Sequence, residues 1–389
     1  MSAEASAFER LLASREIVVV CGPGGVGKTT VAAAAALMAA SQLGGRVLVL
    51  TVDPARRLAT ALGIGALGNQ ATRVPDEAFA AIGLEPRGEL WAAMLDTKAS
   101  WDDLVRAHAP DDEVRTAILD NPLYENITRR FVQSHDYIAM ERLHELHTAG
   151  DYDLIVVDTP PSRNAIDFLE APRRMGDFFS SRLLRWLTVP YRSRIVTVAS
   201  RPFYTVADRV LGSDFLRDIA EFFVLFQTMH KGFVERARAV ERTLGDRRTT
   251  FAVVSTLESA SVTEAEFFIE ALAERKLHLG GLVLNRVLPA VLRQRGGATA
   301  ARAMVKDAPD LARLLALPGI DPVALSAVLA EVGESYLNYR VPATREAEML
   351  AELSFSADAT VQIPFFEDDV HDLDGLLRMG EALFSDRAG

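Results

Sequence analysis

The stretch CGPGGVGKTT, Cys21 to Thr30, decides how the rest of this chain is read. Gly22, Gly27, Lys28 and Thr29 meet the spacing G-x-x-x-x-G-K-T, with Gly24 and Gly25 between them. Closely spaced glycines let backbone amides wrap a phosphate, the lysine brings a point charge to the β and γ oxygens, and the hydroxyl can ligate magnesium. The residues expected at a nucleotide are therefore Gly24, Gly25, Val26, Gly27, Lys28, Thr29 and Thr30. The flanks agree with this. EIVVV (16–20) has the β-branched content of a short strand, and TTVAAAAALMAA (29–40) has high helix propensity. Strand, glycine loop and helix is the order a phosphate loop requires, and the helix N-terminus adds its own attraction for anions.

Further along, apolar segments alternate with helical ones. GGRVLVLTVD (44–53), ELWAAMLD (89–96), DYDLIVVDTPP (151–161), TTFAVVST (249–256), GGLVLNRV (280–287) and ATVQIPFF (359–366) read as buried strands. Strands apolar on both faces and separated by helices predict an α/β fold: a phosphate-loop NTPase with a mainly parallel sheet covered on both sides. Ligands in such sheets bind beyond the carboxyl ends of the strands, where these motifs fall.

Two strand ends carry acids. Asp158 closes LIVVD, which places a carboxylate near a magnesium ion, usually through a water. Asp53 closes LVLTVD and is followed by Pro54, which stops the strand; an acid there can orient or deprotonate the water attacking a γ-phosphate. The expected magnesium set is Thr29, Asp53 and Asp158, and the expected catalytic pair is Lys28 and Asp53. ATP or ADP with magnesium is the expected cofactor set.

Composition bounds the alternatives. With 389 residues, 49% of them hydrophobic and 24% charged, the chain has the make-up of a soluble globular protein. We read residues 1–389 as one phosphate-loop domain, with a helical subdomain built from insertions at about 97–150 and 163–245. No apolar run reaches the length of a membrane span, and MSAEASAFER lacks a secretory signal pattern, so a cytoplasmic protein is expected, with no membrane insertion. A net charge of −11 argues against nucleic-acid binding. The arginines between Arg173 and Arg201 read as a solvated helical face. The single cysteine, Cys21, excludes disulfides and cysteine-based metal clusters within one chain and reads as a small apolar residue ending the first strand. His135, His144 and His147 read as helix-surface residues, not a metal site.

In the second insertion Phe215, Ile219, Phe222, Phe226, Met229 and Phe233 follow the 4-3-4-3-4 spacing of an amphipathic helix, and MGDFFSSRLLRWL (175–187) is a second apolar block. Internal packing is the expected use of both, with a client- or partner-binding surface the alternative.

Taken with TVDPARRLATALG, LWAAMLDTKASWDDL, VVDTPPSRNAIDFLEAP, STLESASVTEAEFF, LVLNRVLP and IPFFEDDV, the loop GPGGVGKTT resembles the ArsA family of ATPases over nearly the whole chain. That family includes arsenite-pump subunits and ATPases that target tail-anchored membrane proteins. The resemblance implies that Lys28 and Thr29 hold phosphate and magnesium and that Asp53 handles the water. It also implies that Asp158 begins the second switch, that Asn285 hydrogen-bonds adenine, and that Pro364 and Phe365 lie along the base.

Departures from the family pattern narrow the expectation. Family loops usually read G-K-G-G-V-G-K-T, and the first lysine reaches the partner's nucleotide across a dimer; here that position is Pro23. In a homodimer neither site would have that cation. In a heterodimer with a lysine-bearing ArsA-type paralogue, this chain's own site would be complete. Arg56, Arg57 and Arg163 are possible substitutes. The cysteine cluster of a metalloid pump and the C-x-x-C of the tail-anchor factors are both absent. The resulting expectation is an ATPase whose dimer opens and closes to handle hydrophobic protein segments. The alternatives are a nucleotide-binding regulatory subunit or a ParA/MinD-like partitioning ATPase. The C-terminal helix DLDGLLRMGEALFSD (372–386) lacks the basic face of a membrane anchor, which weakens the last.

Overall fold

The computed structural model describes residues 5–52, 57–65, 67–130, 132–160, 169–171, 173–174, 177, 222–225, 228–315, 317–353 and 357–385. At its centre is an eight-stranded sheet: β1 Ile17–Cys21, β2 Gly45–Thr51, β3 Thr72–Arg73, β4 Gly88–Met94, β5 Leu154–Asp158, β6 Thr249–Ser255, β7 Leu279–Val287 and β8 Ala359–Pro364. Their order across the sheet is β3-β4-β2-β5-β1-β6-β7-β8. Every pairing is parallel except β3 with β4. The seven strands expected from sequence are present. The two-residue edge strand β3 is new, being too short for any periodicity to show.

The order places the phosphate loop. From β1 the chain builds one side of the sheet through β2, β4 and β5, then returns across β1 to build the other through β6, β7 and β8. The loop after β1 therefore sits where the winding reverses, which is where open α/β sheets bind ligands.

All five residues of β1 are buried, and they alternate between two cores. Ile17, Val19 and Cys21 join one apolar cluster, while Val18 and Val20 join the other on the opposite face. Each fully buried valine or isoleucine contributes about 1.5–3 kcal/mol relative to exposure, so this strand is a large part of what fixes the sheet. Cys21 is buried and burial pushes its thiol pKa well up, as expected of a packing residue.

Helix α1, Ala7–Ala13, is started by a capping box between Ser6 and Glu9 and lays Phe8, Leu11 and Leu12 on the second core. Helix α2, Lys28–Met38, follows the phosphate loop and runs on into a π-helical turn, Ala39–Leu43. Ala32 to Ala36 are at most 1% exposed, so the alanine run serves as a thin, fully buried helix face. Against α2 packs the C-terminal helix, to which Leu373, Leu376, Met379 and Leu383 contribute buried side chains. Its apolar face is spent on the core.

Next come α3 Arg57–Ala61 and α4 Asp76–Ala81, then the first insertion: α5 Thr97–His108, α6 Asp112–Leu119, α7 Pro122–Arg130 and α8 Val132–Ala149. From the second insertion, α9 His230–Leu244 packs on α8. Trp101, Tyr124, Tyr137, Met140, Phe222, Met229 and Val240 belong to the same apolar cluster as Ile17 and Val19 of β1, so these helices share one core with the sheet. Between α8 and α9, Arg236 Nε lies 2.9 Å from Glu141 Oε1, and the Tyr137 hydroxyl donates to Glu141 Oε2 at 3.0 Å. Burial raises the Glu141 pKa.

Of the phenylalanine stripe, Phe222 and Met229 are in this core. Phe215, Ile219, Phe226, the side chain of Phe233, the apolar residues of block 175–187, and Arg182, Arg185, Arg192, Arg194 and Arg201 lie outside the described residues. Arg173 and Arg174 pair with Asp177 and Glu170.

The remaining helices are α10 Ser259–Glu274 and a group between β7 and β8: α11 Arg295–Lys306, α12 Ala308–Leu315 and the 31-residue α13 Pro322–Glu352. At 1.5 Å per residue α13 is about 46 Å long. It packs on α11 and α12, meeting α11 at Gly333, where an added Cβ would lie 2.6 Å from the Ala301 carbonyl. Of the twelve large apolar side chains exposed among the described residues, nine fall between Leu314 and Val341. The surface-exposed apolar residues thus concentrate on this helical group, a region without a motif to draw attention to it.

Candidate functional site

The site is built on the carboxyl ends of β1, β2, β5 and β7. Gly22 leaves β1 at φ +142, and an added Cβ would lie 2.1 Å from the Val254 carbonyl oxygen of β6. Only glycine lets the loop run this close to the sheet. The loop then folds over Pro23, which is buried, through Gly24 and Gly25, which are exposed, to Val26, which is 2% exposed. Gly27 caps α2 with φ +94. Lys28, Thr29 and Thr30 form the first turn of α2, whose N-terminal amides face the loop as an anion site requires.

Lys28 is 7% exposed, and its ammonium donates to the Pro23 carbonyl at 2.8 Å. The chain thus spans the loop it belongs to. At position 23 the proline supplies a carbonyl to the loop's own lysine and no cation to anything else.

Asp158 ends β5 and is fully buried. Its Oδ2 accepts from Thr29 Oγ1 at 2.7 Å and from Thr51 Oγ1 at 2.9 Å. The parallel register explains the second contact, because Thr51 at the end of β2 lies directly opposite Asp158. Thr159 locks the same corner, its hydroxyl donating to the Val20 carbonyl at 2.9 Å. Asp53 lies outside the described residues, as does Arg56; Val52, just before Asp53, donates its amide to the Asp158 carbonyl at 3.1 Å. Arg163 and the side chain of Arg57 are also outside them.

These oxygens fit magnesium. The ion takes hard oxygen ligands in small number and keeps several waters, and Thr29 and Asp158 bring a hydroxyl and a carboxylate to one point at the loop's mouth. When bound, magnesium would neutralise charge on phosphate oxygens there. The hydroxyl of Thr29 can ligate through oxygen while still donating to Asp158, and Thr51 keeps the carboxylate aimed.

Asn285 lies on β7, 3% exposed. Its Nδ2 donates to the Val26 carbonyl at 2.7 Å, and its Oδ1 accepts from the Arg286 amide at 2.9 Å. Pro364 and Phe365 stand at the end of β8 beside it, and the Phe365 amide donates to the Val287 carbonyl at 2.9 Å. Phe365 is 47% exposed and follows the carboxyl end of β8, on the side of the sheet where the loop follows the carboxyl end of β1. Of the three histidines expected on a helix surface, His144 Nδ1 is 3.0 Å from Thr243 Oγ1 and His147 Nε2 is 2.7 Å from Glu16 Oε2, while the side chain of His135 lies outside the described residues.

Thr51 is the site residue that sequence reading passed over. Its signal was faint: a hydroxyl two residues before an acid, inside a strand read as apolar. The isosteric Thr51→Val removes one hydroxyl donor from Asp158. It is expected to weaken magnesium-dependent nucleotide affinity by about tenfold, the lower end of the effect of supporting residues on metal sites. Nucleotide titrations at several magnesium concentrations check this. An unchanged magnesium requirement would show that Thr51 does not aim the carboxylate.

Comparisons with known proteins identify the family. Over 274 residues the chain is 32% identical to an uncharacterized protein of Streptomyces coelicolor, covering 70% of this chain and 62% of that one. It is 26% identical over 270 residues to an arsenical pump-driving ATPase of Acidiphilium multivorum, covering 69% of this chain and 39% of that one. It is 24% identical over 275 residues to an ASNA1-homologous ATPase of Paramecium tetraurelia, covering 70% and 74%. The chain thus spans less than two thirds of the length of the first two relatives. The family profile described as anion-transporting ATPase, of the ArsA type, matches residues 15–308, from the strand before the phosphate loop to the start of α12. That match covers most of the chain and every strand but the last, so the chain belongs to the ArsA family of ATPases.

Proposed function

We propose that the chain is a magnesium-dependent ATPase that works as a dimer, opening and closing with its nucleotide to handle hydrophobic protein segments. The observation that carries the nucleotide half is Asp158, buried and aimed by the hydroxyls of Thr29 and Thr51 beside a loop spanned by Lys28. In the reaction a water oxygen bonds to the γ-phosphorus and the bond from that phosphorus to the bridging oxygen breaks. ADP leaves with the electron pair, and the water's proton passes to the released phosphate or to solvent. The amides of Gly24, Gly25, Val26, Gly27, Thr29 and Thr30, with Lys28, hold the phosphates in line. Asp53 orients the water, and Asn285, Pro364 and Phe365 flank the base end of the site. Thr29, Asp53 and Asp158 form the magnesium set.

The dimer half rests on family membership and on Pro23. Because Pro23 gives no cation to a partner's nucleotide, the lysine-bearing subunit is assigned to a paralogue, and this chain's own site is the one completed by it. The closed state draws its stability from contacts to the γ-phosphate that ADP does not make. The cluster of exposed apolar residues between Leu314 and Val341 favours an activity exerted on another protein over hydrolysis for its own sake.

ATP turnover and nucleotide affinity of the purified chain, beside Asp53→Asn, test this reading. The expected result is that both proteins bind MgATP within about threefold of each other, and that the substitution lowers turnover by about 100-fold or more once a lysine-bearing partner is added. A chain that binds no nucleotide would sink the proposal. A second reading, a nucleotide-binding regulatory subunit with little turnover alone, is favoured by Pro23; it predicts binding by both proteins and no effect of Asp53→Asn on turnover when the partner is added.

A further inference from the structure

We propose that Asn285 is a positioning residue that struts the phosphate loop from the far side of β6. One strand separates the residues involved: Val26 follows β1, Asn285 is on β7, and β6 runs between them. The side chain crosses that gap. Its Nδ2 donates to the Val26 carbonyl at 2.7 Å and lies where a Cβ on Gly27 would be only 2.5 Å away, so it supports two consecutive loop residues.

The orientation of the amide is fixed by chemistry. The Arg286 backbone N–H donates to one end of it, which must be the oxygen, so the nitrogen faces Val26, whose carbonyl can only accept. The strand is shaped for this. Register with β8 shifts between Leu284 and Val287, and Arg286 takes the left-handed conformation at φ +60, unusual for a residue with a Cβ. That irregularity turns the backbone amide of Arg286 back onto the Asn285 side chain. With Asn285 buried, the Val26 carbonyl has this bond in place of solvent, and losing it leaves a buried acceptor unsatisfied. One N–H of the amide is committed to the loop and one lone pair of Oδ1 to Arg286, so a contact to a nucleotide base would have to use the second N–H or the second lone pair.

The strut rests on the phosphate-loop reading for its consequence but not for its first test. Hydrogen exchange of the nucleotide-free full chain is measured for wild type, Asn285→Leu and Asn285→Ser. Leucine keeps the volume, and serine covers the case in which leucine does not fold. The expected result is at least a tenfold rise in exchange over residues 24–28 with β1 and β5 amides unchanged. Unchanged loop exchange overturns the strut even if the protein proves to bind no nucleotide.

Calorimetric titrations with MgATP, MgGTP and magnesium tripolyphosphate then separate the two roles. A strut predicts that ATP and the base-free tripolyphosphate weaken by the same factor, about tenfold, with the ATP-to-GTP preference kept within twofold. Loss of that preference with tripolyphosphate affinity intact would assign Asn285 to the base and overturn the proposal.

Discussion

Lys28→Ala is expected to lower ATP turnover by about 10²–10³-fold, the range seen when one preorganised donor to a developing charge is removed. Lys28 is 7% exposed and already held across the loop on the Pro23 carbonyl, so its side chain gives up little freedom when a phosphate replaces that carbonyl. In the transition state charge gathers on the equatorial oxygens of the transferred group, and a cation fixed beside them needs no reorganisation. The loss falls mainly on the maximal rate, with a smaller loss of affinity because the loop amides remain. A phosphate-release assay with a parallel binding titration reads both. A loss below tenfold would mean that Lys28 serves the loop's shape alone.

Gly22→Val is expected to be the most destabilising single change at the loop, at about 3 kcal/mol or more. Overpacking typically costs about 1–3 kcal/mol, and the left-handed backbone adds about 1–2 kcal/mol for a residue with a Cβ. The clash is with backbone: the new Cβ would meet the Val254 carbonyl oxygen at 2.1 Å, and β6 cannot withdraw without breaking its ladders to β1 and β7. Gly25→Ala is the control. It shares a positive φ, +78, but nothing lies within 4 Å of its added Cβ, so only the conformational cost of about 1 kcal/mol remains. Urea unfolding of the two variants gives the comparison. Equal stabilities would show that the loop, and not β6, yields.

Much of the candidate site was legible because its chemistry is local. The spacing of Gly22, Gly27, Lys28 and Thr29 sets a turn and a helix start within one short segment, and Asp158 stands at the end of a run whose apolar residues could only be a buried strand. Thr51 was not legible. What makes it a partner of Asp158 is the parallel register of β2 and β5, over a hundred residues apart in the chain. Asn285 was legible as a residue of interest but not in its contacts, since its hydrogen bond to Val26 spans 259 positions. The phenylalanine spacing predicted an apolar helix face, and its described members Phe222 and Met229 are packed inside. Most of the exposed large apolar residues among those described fall instead in a segment between β7 and β8 that carries no phosphate-loop or switch motif, where the sequence shows only another helical run.

By itself the sequence determined the sheet's composition and the presence of a phosphate loop. Strand content, glycine spacing and strand-end acids depend on neighbours within a few residues, and backbone sterics and hydrophobic burial act on them at that range. Only the tertiary structure decided the order of strands, the side chains that meet across it, and which apolar faces find a partner. Those outcomes depend on strand register and on competition among distant surfaces for burial. The same spacing of apolar residues is compatible with a covered stripe, as at Phe222, or an open one, as at Val328 and Val332.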